Sequence, residues 1–331
     1  MIGIDVGAVS TDIAVLDMDE NVVTSRYLRT AGNPILAIKD GLISIEEELK
    51  EKYKEFEVFS VGTTGSGRYL ANIVVGSDIV KNEISSHAVA TLREIPDVRT
   101  IFEIGGQDSK IIIIRDGVVV DFAMNTVCAA GTGSFLDHQA ERLDIEIEDF
   151  GKLALLSKNP VRIAGRCTVF AESDMIHKAQ MGAKKEDILM GLCEALVRNY
   201  LNNVARGKPL YPKFVFQGGV SDNIGIVKTF EKVIGNEVIV PKNNKIMGAI
   251  GVAIISKEFV KKEGTKTKFK GFDVSKREYE TKVFYCDKCA NNCEVYEILE
   301  NGESIAIWGD RCGRYSEKFP YSKTGIGKIP I

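Results

Sequence analysis

One short frame occurs twice in this chain, and the repetition narrows the folds open to it. Ile2-Gly3-Ile4-Asp5-Val6-Gly7 reads as a buried strand entering a glycine turn. A second strand over 11–16, a polar turn over 17–21 and Val22-Val23 follow. Ile101-Phe102-Glu103-Ile104-Gly105-Gly106 begins the same series, with strands over 110–114 and 118–122 joined by Arg115-Asp116-Gly117. Asp5 matches Glu103 and Gly7 matches Gly105, so the chain reads as two copies of one supersecondary unit.

Helical spacing of apolar residues predicts helices over 34–56, 134–143, 169–181, 185–205 and 246–256. Further strands are expected over 58–61, 213–217 and 237–240, giving an α/β fold with mixed sheets. The polar, lysine-rich stretch 257–282 reads as a linker. The expected organisation is a first subdomain over 1–98, a second over 99–256, the linker 257–282 and a cysteine-rich module over 283–331.

With 43 Lys+Arg against 46 Asp+Glu, nothing points to nucleic acid or an anionic membrane. No apolar run approaches the ~18 residues of a membrane span, and Met1-Ile2-Gly3-Ile4-Asp5 lacks the basic start of a signal peptide. A cytoplasmic protein is expected. Its seven cysteines are then ligands, catalysts or packed thiols rather than disulfides.

Three glycine turns each follow an apolar strand: Asp5-Val6-Gly7-Ala8, Glu103-Ile104-Gly105-Gly106 and Phe216-Gln217-Gly218-Gly219. Glycine lets backbone N–H groups cradle phosphate. An acid just before such a turn can hold Mg²⁺ through water or orient an attacking water. There is no Gly-x-x-x-x-Gly-Lys-Ser/Thr loop and no Gly-x-Gly-x-x-Gly after the first strand, which disfavours P-loop and Rossmann sites.

This pattern resembles the actin-like ATPase superfamily of sugar kinases, heat-shock chaperone ATPases and actin over about residues 1–256. The resemblance implies ATP and Mg²⁺ in a cleft between duplicated domains. Asp5, Glu103, Gln107 and Asp108 would be its catalytic residues. Gly7, Ser10, Thr11, Gly105, Gly106, Gly131, Gly133, Gly218, Gly219 and Gly248 would line the nucleotide.

Cys128 opens Cys-Ala-Ala-Gly-Thr-Gly and Cys167 opens Cys-Thr-Val-Phe-Ala-Glu-Ser, each at or just before the start of a predicted helix. A helix start favours thiolate and anionic ligands. Two cysteines cannot complete a four-thiolate cluster, but two copies about a twofold axis can. These segments, with Glu103-Ile104-Gly105-Gly106-Gln107-Asp108 and Val61-Gly62-Thr63-Thr64-Gly65-Ser66-Gly67-Arg68, resemble the ATP-dependent activators of 2-hydroxyacyl-CoA dehydratases and benzoyl-CoA reductases. The resemblance implies a homodimer with one 4Fe–4S cluster held by Cys128 and Cys167 of both subunits. It also implies a ferredoxin or flavodoxin donor and a single low-potential electron passed to an iron–sulfur partner enzyme. Ala8, Val9 and Asp12 depart from that family's first loop, Asp12 standing where it carries a lysine.

Cys286-x2-Cys289-x3-Cys293, a hairpin and then Cys312 suit tetrahedral Zn²⁺ or a second iron–sulfur cluster. Cys193 falls on an apolar helix face, and His87, His138 and His177 take surface or packing roles. The rival reading is an actin-like small-molecule kinase with Asp108 as its base, in which paired cysteines at helix starts have no use.

Overall fold

The computed structural model describes residues 1–125 and 128–318. The first half runs β1 (Ile2–Val6), β2 (Ser10–Leu16), β3 (Val22–Arg29), α1 (Pro34–Lys52), β4 (Val61–Thr64), α2 (Arg68–Val75), β5 (Ile79–Val80) and α3 (Glu83–Glu94). The second runs β6 (Thr100–Ile104), β7 (Ser109–Arg115), β8 (Val118–Asn125), α4 (Gly133–Arg142), α5 (Ile147–Ala154), α6 (Thr168–Gln180), α7 (Lys185–Asn203), β9 (Phe214–Gln217), α8 (Ile224–Ile234), β10 (Val238–Ile239) and α9 (Met247–Glu263).

The sheet orders are β3-β2-β1-β4-β5 and β10-β9-β6-β7-β8. Each central strand pairs antiparallel with the strand that follows it and parallel with the strand on its other side. The halves therefore share one topology, with β1 to β5 matching β6 to β10. This bears out the duplication and the mixed α/β sheets.

The last helix of each half packs on the sheet of the other. Ile84, Ala88 and Ile95 of the α3 region join Ile101, Ile112 and Val215 of the second sheet. Met247, Ala249, Ile250 and Ala253 of α9 join Met1, Ala14 and Leu16 of the first. Helix α9 is apolar around most of its circumference, as a helix buried between layers must be. It lies so close to β1 that a side chain on Gly3 would run into the Ala249 carbonyl.

The expected linker is structured. Residues 257–263 continue α9, and the Lys257 ammonium is buried, bonded to the Glu20 carboxylate at 2.7 Å and the Met18 carbonyl at 2.8 Å. Beyond it the chain straps over the first lobe. Lys268 N–H donates to Asp78 at 2.7 Å, Lys270 N–H to the Val75 carbonyl at 2.9 Å, and Val274 is buried in the first core. A composition rich in lysine reads as solvated, but long aliphatic stems cover apolar surface while the charge finds a partner.

The tail forms an antiparallel sheet, β11 (Tyr279–Tyr285), β12 (Glu294–Glu300) and β13 (Glu303–Trp308), in that order. Ile298 and Ala306 pack into the first lobe's core with Val274. Residues 319–331 of the predicted module lie outside the described residues. Among the described residues no helix is long and apolar enough to cross a membrane.

Candidate active site

The two central strands end at one cleft of about 320 Å³. Asp5 comes from β1, Glu103 from β6, and the turns at Gly7, Gly105-Gly106 and Gly218-Gly219 form its walls together with Gln107, Asp108 and Ser10. The turn after β4, Gly65-Ser66, stands where the repeat requires a counterpart to Gly218-Gly219, and it too lines the cleft. A second cavity of about 450 Å³ shares Val9, Gly105, Gly106 and Gly219 with the first and continues past Gly133, Leu136, Ile147 and Val220. The first chamber, walled by glycine turns and carboxylates, suits a phosphate chain with its cation, and the larger extension, where Leu136, Ile147 and Val220 stand among polar groups, has room for a nucleoside.

Two predicted nucleotide contacts lie elsewhere. Thr11 is buried with its hydroxyl 2.9 Å from that of Thr30, because alternation along β2 turns it away from the side that carries Ser10 and Asp12. Gly131 packs on Asn199, away from both chambers. Gly248 backs the site from the first turn of α9, so close behind Asp5 that a Cβ there would strike the carboxylate.

Lys110, on β7, was not anticipated. Its ammonium is buried, 3.0 Å from Glu103 Oε2 and 2.7 Å from Asp108 Oδ1. Burial opposes its charge, but Glu103 and Asp108 outweigh burial and hold it protonated. Burial pushes Glu103 up to about 7 against the pull of Lys110, and Asp5 to about 7 for the same reason. Burial, reinforced by Asp5, raises Asp12 well above the carboxylate range. The cleft thus holds carboxyl groups poised near neutrality, as general acid–base and water-orienting groups need to be.

His87 serves the cleft's packing. It is buried, 2.9 Å from the Gln217 amide through Nδ1, and burial holds its pKa down to about 3, so the ring is neutral. Glu83, Tyr27 and Lys245, which the sequence did not single out, also line the cleft, as does His87, which was expected in a surface or packing role.

The two helix-start cysteines are brought together. Cys128 precedes a short turn over Ala129–Gly131, and Cys167 is the cap residue of α6. Cys128 Sγ lies 3.7 Å from the carbonyl of Arg166, the neighbour of Cys167, and 3.9 Å from the Asn199 amide. The Asn125 amide brackets Cys128, accepting from its N–H at 2.9 Å and donating to its carbonyl at 2.8 Å. Both thiols are half-buried, and Val169 and Phe170, which follow Cys167 in the first turn of α6, expose their apolar side chains. The segment between Cys128 and α4 is tied to the second glycine turn: Gly133 N–H donates to the Gly105 carbonyl at 2.8 Å and Ser134 N–H to that of Gly106 at 2.9 Å. Cys193, by contrast, is buried in the second core.

The tail cysteines behave differently. Cys286 and Cys293 are buried and joined by a 2.8 Å backbone bond, while Cys289 and Cys312 are exposed. Among the described residues no three His, Cys, Asp or Glu side chains gather into a group able to hold a metal ion. The four tail thiols as arranged do not form the tetrahedral set expected from their spacing.

Two mixed sheets of one topology, closing on a cleft with an acid and a glycine turn at the end of each central strand, define an actin-like ATPase fold. The chain belongs to the BadF/BadG/BcrA/BcrD ATPase family, which it matches over residues 2–256. It is 31% identical to the 2-hydroxyisocaproyl-CoA dehydratase activator of Clostridioides difficile over 269 residues, 80% of this chain and 98% of that protein. It is 32% identical to the (R)-2-hydroxyglutaryl-CoA dehydratase activating ATPase of Acidaminococcus fermentans over 254 residues, 76% of this chain and 95% of that one. The structure of the Clostridium difficile activator with bound ADPNP superposes with a TM-score of 0.71 at 31% identity, covering 80% of this chain and 96% of that chain.

Proposed function

We propose that this protein is a cytoplasmic ATP-hydrolysing activator that delivers a low-potential electron to a dehydratase- or reductase-type iron–sulfur partner. The observation that carries the reading is the union of Cys128 and Cys167 at one half-exposed surface, tied by backbone bonds to the second glycine turn. The names of its relatives, which include a benzoyl-CoA reductase subunit, agree with that partner class.

Asp5 and Glu103 hold or orient the water around the Mg²⁺ of the nucleotide, and Lys110 fixes Glu103 and Asp108 beside the phosphates. The glycine turns supply N–H donors, and the chamber beyond Gly219 takes the adenosine. Cys128 and Cys167 fit as two of four thiolate ligands: both are half-buried, Cys167 caps α6, Cys128 precedes the short turn that leads to α4, and exposed apolar side chains next to Cys167 offer a surface that a second copy would cover. A 4Fe–4S cluster shared between two subunits would supply one-electron transfer there. A ferredoxin or flavodoxin would be its donor. The tail cysteines, dispersed as they are, enter no step.

Anaerobically purified protein tests the reading. It should hold one four-iron cluster per two chains and hydrolyse ATP, and Asp5→Ala or Glu103→Ala should each slow hydrolysis by about 10²-fold or more, the scale of losing one positioned catalytic group. A colourless, iron-free protein that phosphorylates a small molecule would establish the kinase reading instead.

A further inference from the structure

The first lobe carries a carboxylate that the ATPase reading leaves unused. Asp12 stands opposite Asp5 across the β1–β2 ladder, so both side chains emerge on the same face, and both line the cleft. Asp12 is only 6% exposed, and its Oδ1 has no hydrogen-bond partner; Oδ2 has only the Ser10 hydroxyl, at 3.5 Å. A buried carboxylate oxygen left without a donor is costly and calls for a compensating group.

The protein does not supply it. The counterpart position in the second half is Lys110, and that ammonium is engaged by Glu103 and Asp108. The other ammonium on the cleft wall, Lys245, is paired with Asp222. Five carboxylates therefore line the cleft against two ammonium groups that are already matched, at a site meant for a polyanion. Two adjacent carboxylates, a hydroxyl and nearby phosphate oxygens are the oxygen donors that a hard divalent cation takes, with water filling the rest of its shell.

We propose that Asp12, with Asp5, binds a divalent cation on the first-lobe side of the cleft. It takes the electrostatic place in the first half that Lys110 holds in the second. The inference deepens the nucleotide reading of the same cleft and rests on it for the phosphate side only. The protein supplies its two carboxylates before nucleotide arrives, so the nucleotide-free chain binds the ion through Asp12.

The test is Mn²⁺ titration of the nucleotide-free, full-length protein followed by electron paramagnetic resonance, with ADP binding measured by calorimetry on the same preparations. Asp12→Asn keeps the shape and removes the charge. It should weaken Mn²⁺ binding by at least about 10-fold, the effect of losing one of two anionic ligands. Asp12→Ala should do the same, whereas Asp12→Glu should retain most of the affinity. Circular dichroism melting confirms that each variant is folded. Mn²⁺ affinity unchanged within twofold in both Asp12→Asn and Asp12→Ala, or no Mn²⁺ bound by the wild-type chain, overturns the cation seat. Asp12-dependent Mn²⁺ binding without any ADP binding upholds the seat and overturns the nucleotide reading. ADP binding with Mn²⁺ affinity indifferent to Asp12 does the reverse.

Discussion

The Lys110 ammonium lies 3.0 Å from the Glu103 carboxylate, across the ladder that joins β6 to β7. Asp12 on β2 and Asp5 on β1 hold the same places in the first half. One skeleton thus presents an ion pair on one wall of the cleft and two carboxylates on the other.

Removing the cation from that wall should cost more stability than its exposed counterparts do. Lys110→Met leaves Glu103 and Asp108 without their partner, and losing one member of a buried pair costs about 3–5 kcal/mol. Glu103→Gln with Lys110→Met should lose less than the two single losses added, because the variants share one interaction. Urea unfolding of the three variants measures this. A Lys110→Met loss below about 1 kcal/mol, the range of exposed pairs, would mean that the pair is not buried in solution.

Two glycines of the cleft should separate binding from folding. A Cβ on Gly219 meets only the Tyr27 hydroxyl, at 3.1 Å, so Gly219→Val keeps the fold and fills the passage between the two chambers. Its melting temperature should stay near wild type while ADP binding falls by at least about 10-fold, the cost of excluding part of a ligand from its pocket. Gly248→Ala drives a methyl group into the Asp5 carboxylate. It should lower both the melting temperature and hydrolysis. Calorimetry and a thermal melt distinguish the two patterns.

His87 gives a pH signature with a definite sign. Its folded-state pKa is held down to about 3 from 6.5. Between those values the unfolded chain takes a proton that the folded chain refuses, so stability present above pH 6.5 is lost as the pH falls. At pH 5 the loss from this residue is about 2 kcal/mol. Asp5 and Glu103, raised to about 7, act in the opposite sense, losing stability as the pH rises toward 7, and are common to both proteins compared. The change in unfolding free energy from pH 7 to pH 5 should therefore be less favourable for wild type than for His87→Gln, by about 2 kcal/mol. Equal changes in the two proteins would show that the ring is not buried and neutral.

Much of this site was legible because the repeat is written in residue types that chemistry cannot easily exchange. An acid followed by a glycine turn at the end of a buried strand singled out Asp5 and Glu103, and both line one cleft. Lys110 was missed although the same repeat contained it: counting on from Glu103 as from Asp5 to Asp12 reaches it. Local reading failed where tertiary context decides. Thr11 looked like a hydroxyl donor to phosphate, but alternation along β2 turns it to Thr30. Residues 257–263 looked solvated, yet Lys257 finds Glu20 and α9 continues. The exchange of α3 and α9 between lobes has no signature in periodicity, since a helix's apolar face does not say which sheet it covers.

The helix also sets where the chain can be cut. The family match ends at residue 256, but α9 runs to Glu263 and carries the buried Lys257–Glu20 pair. A chain ending at 256 leaves Glu20 without Lys257 and should melt at lower temperature than a chain ending at 263. Identical melting temperatures would contradict the structural role given to that last stretch.

The central claim is that Cys128 and Cys167 of two subunits hold one cluster beside the nucleotide cleft. Iron and sulfide analysis of anaerobically purified full-length protein tests it most directly, comparing wild type with Cys128→Ser, Cys167→Ser and Cys193→Ser. The account predicts that the first two variants each lose one four-iron cluster per two chains with its visible absorption, while Cys193→Ser, altered only in the second core, keeps both. Full iron and an unchanged spectrum in Cys128→Ser would contradict it.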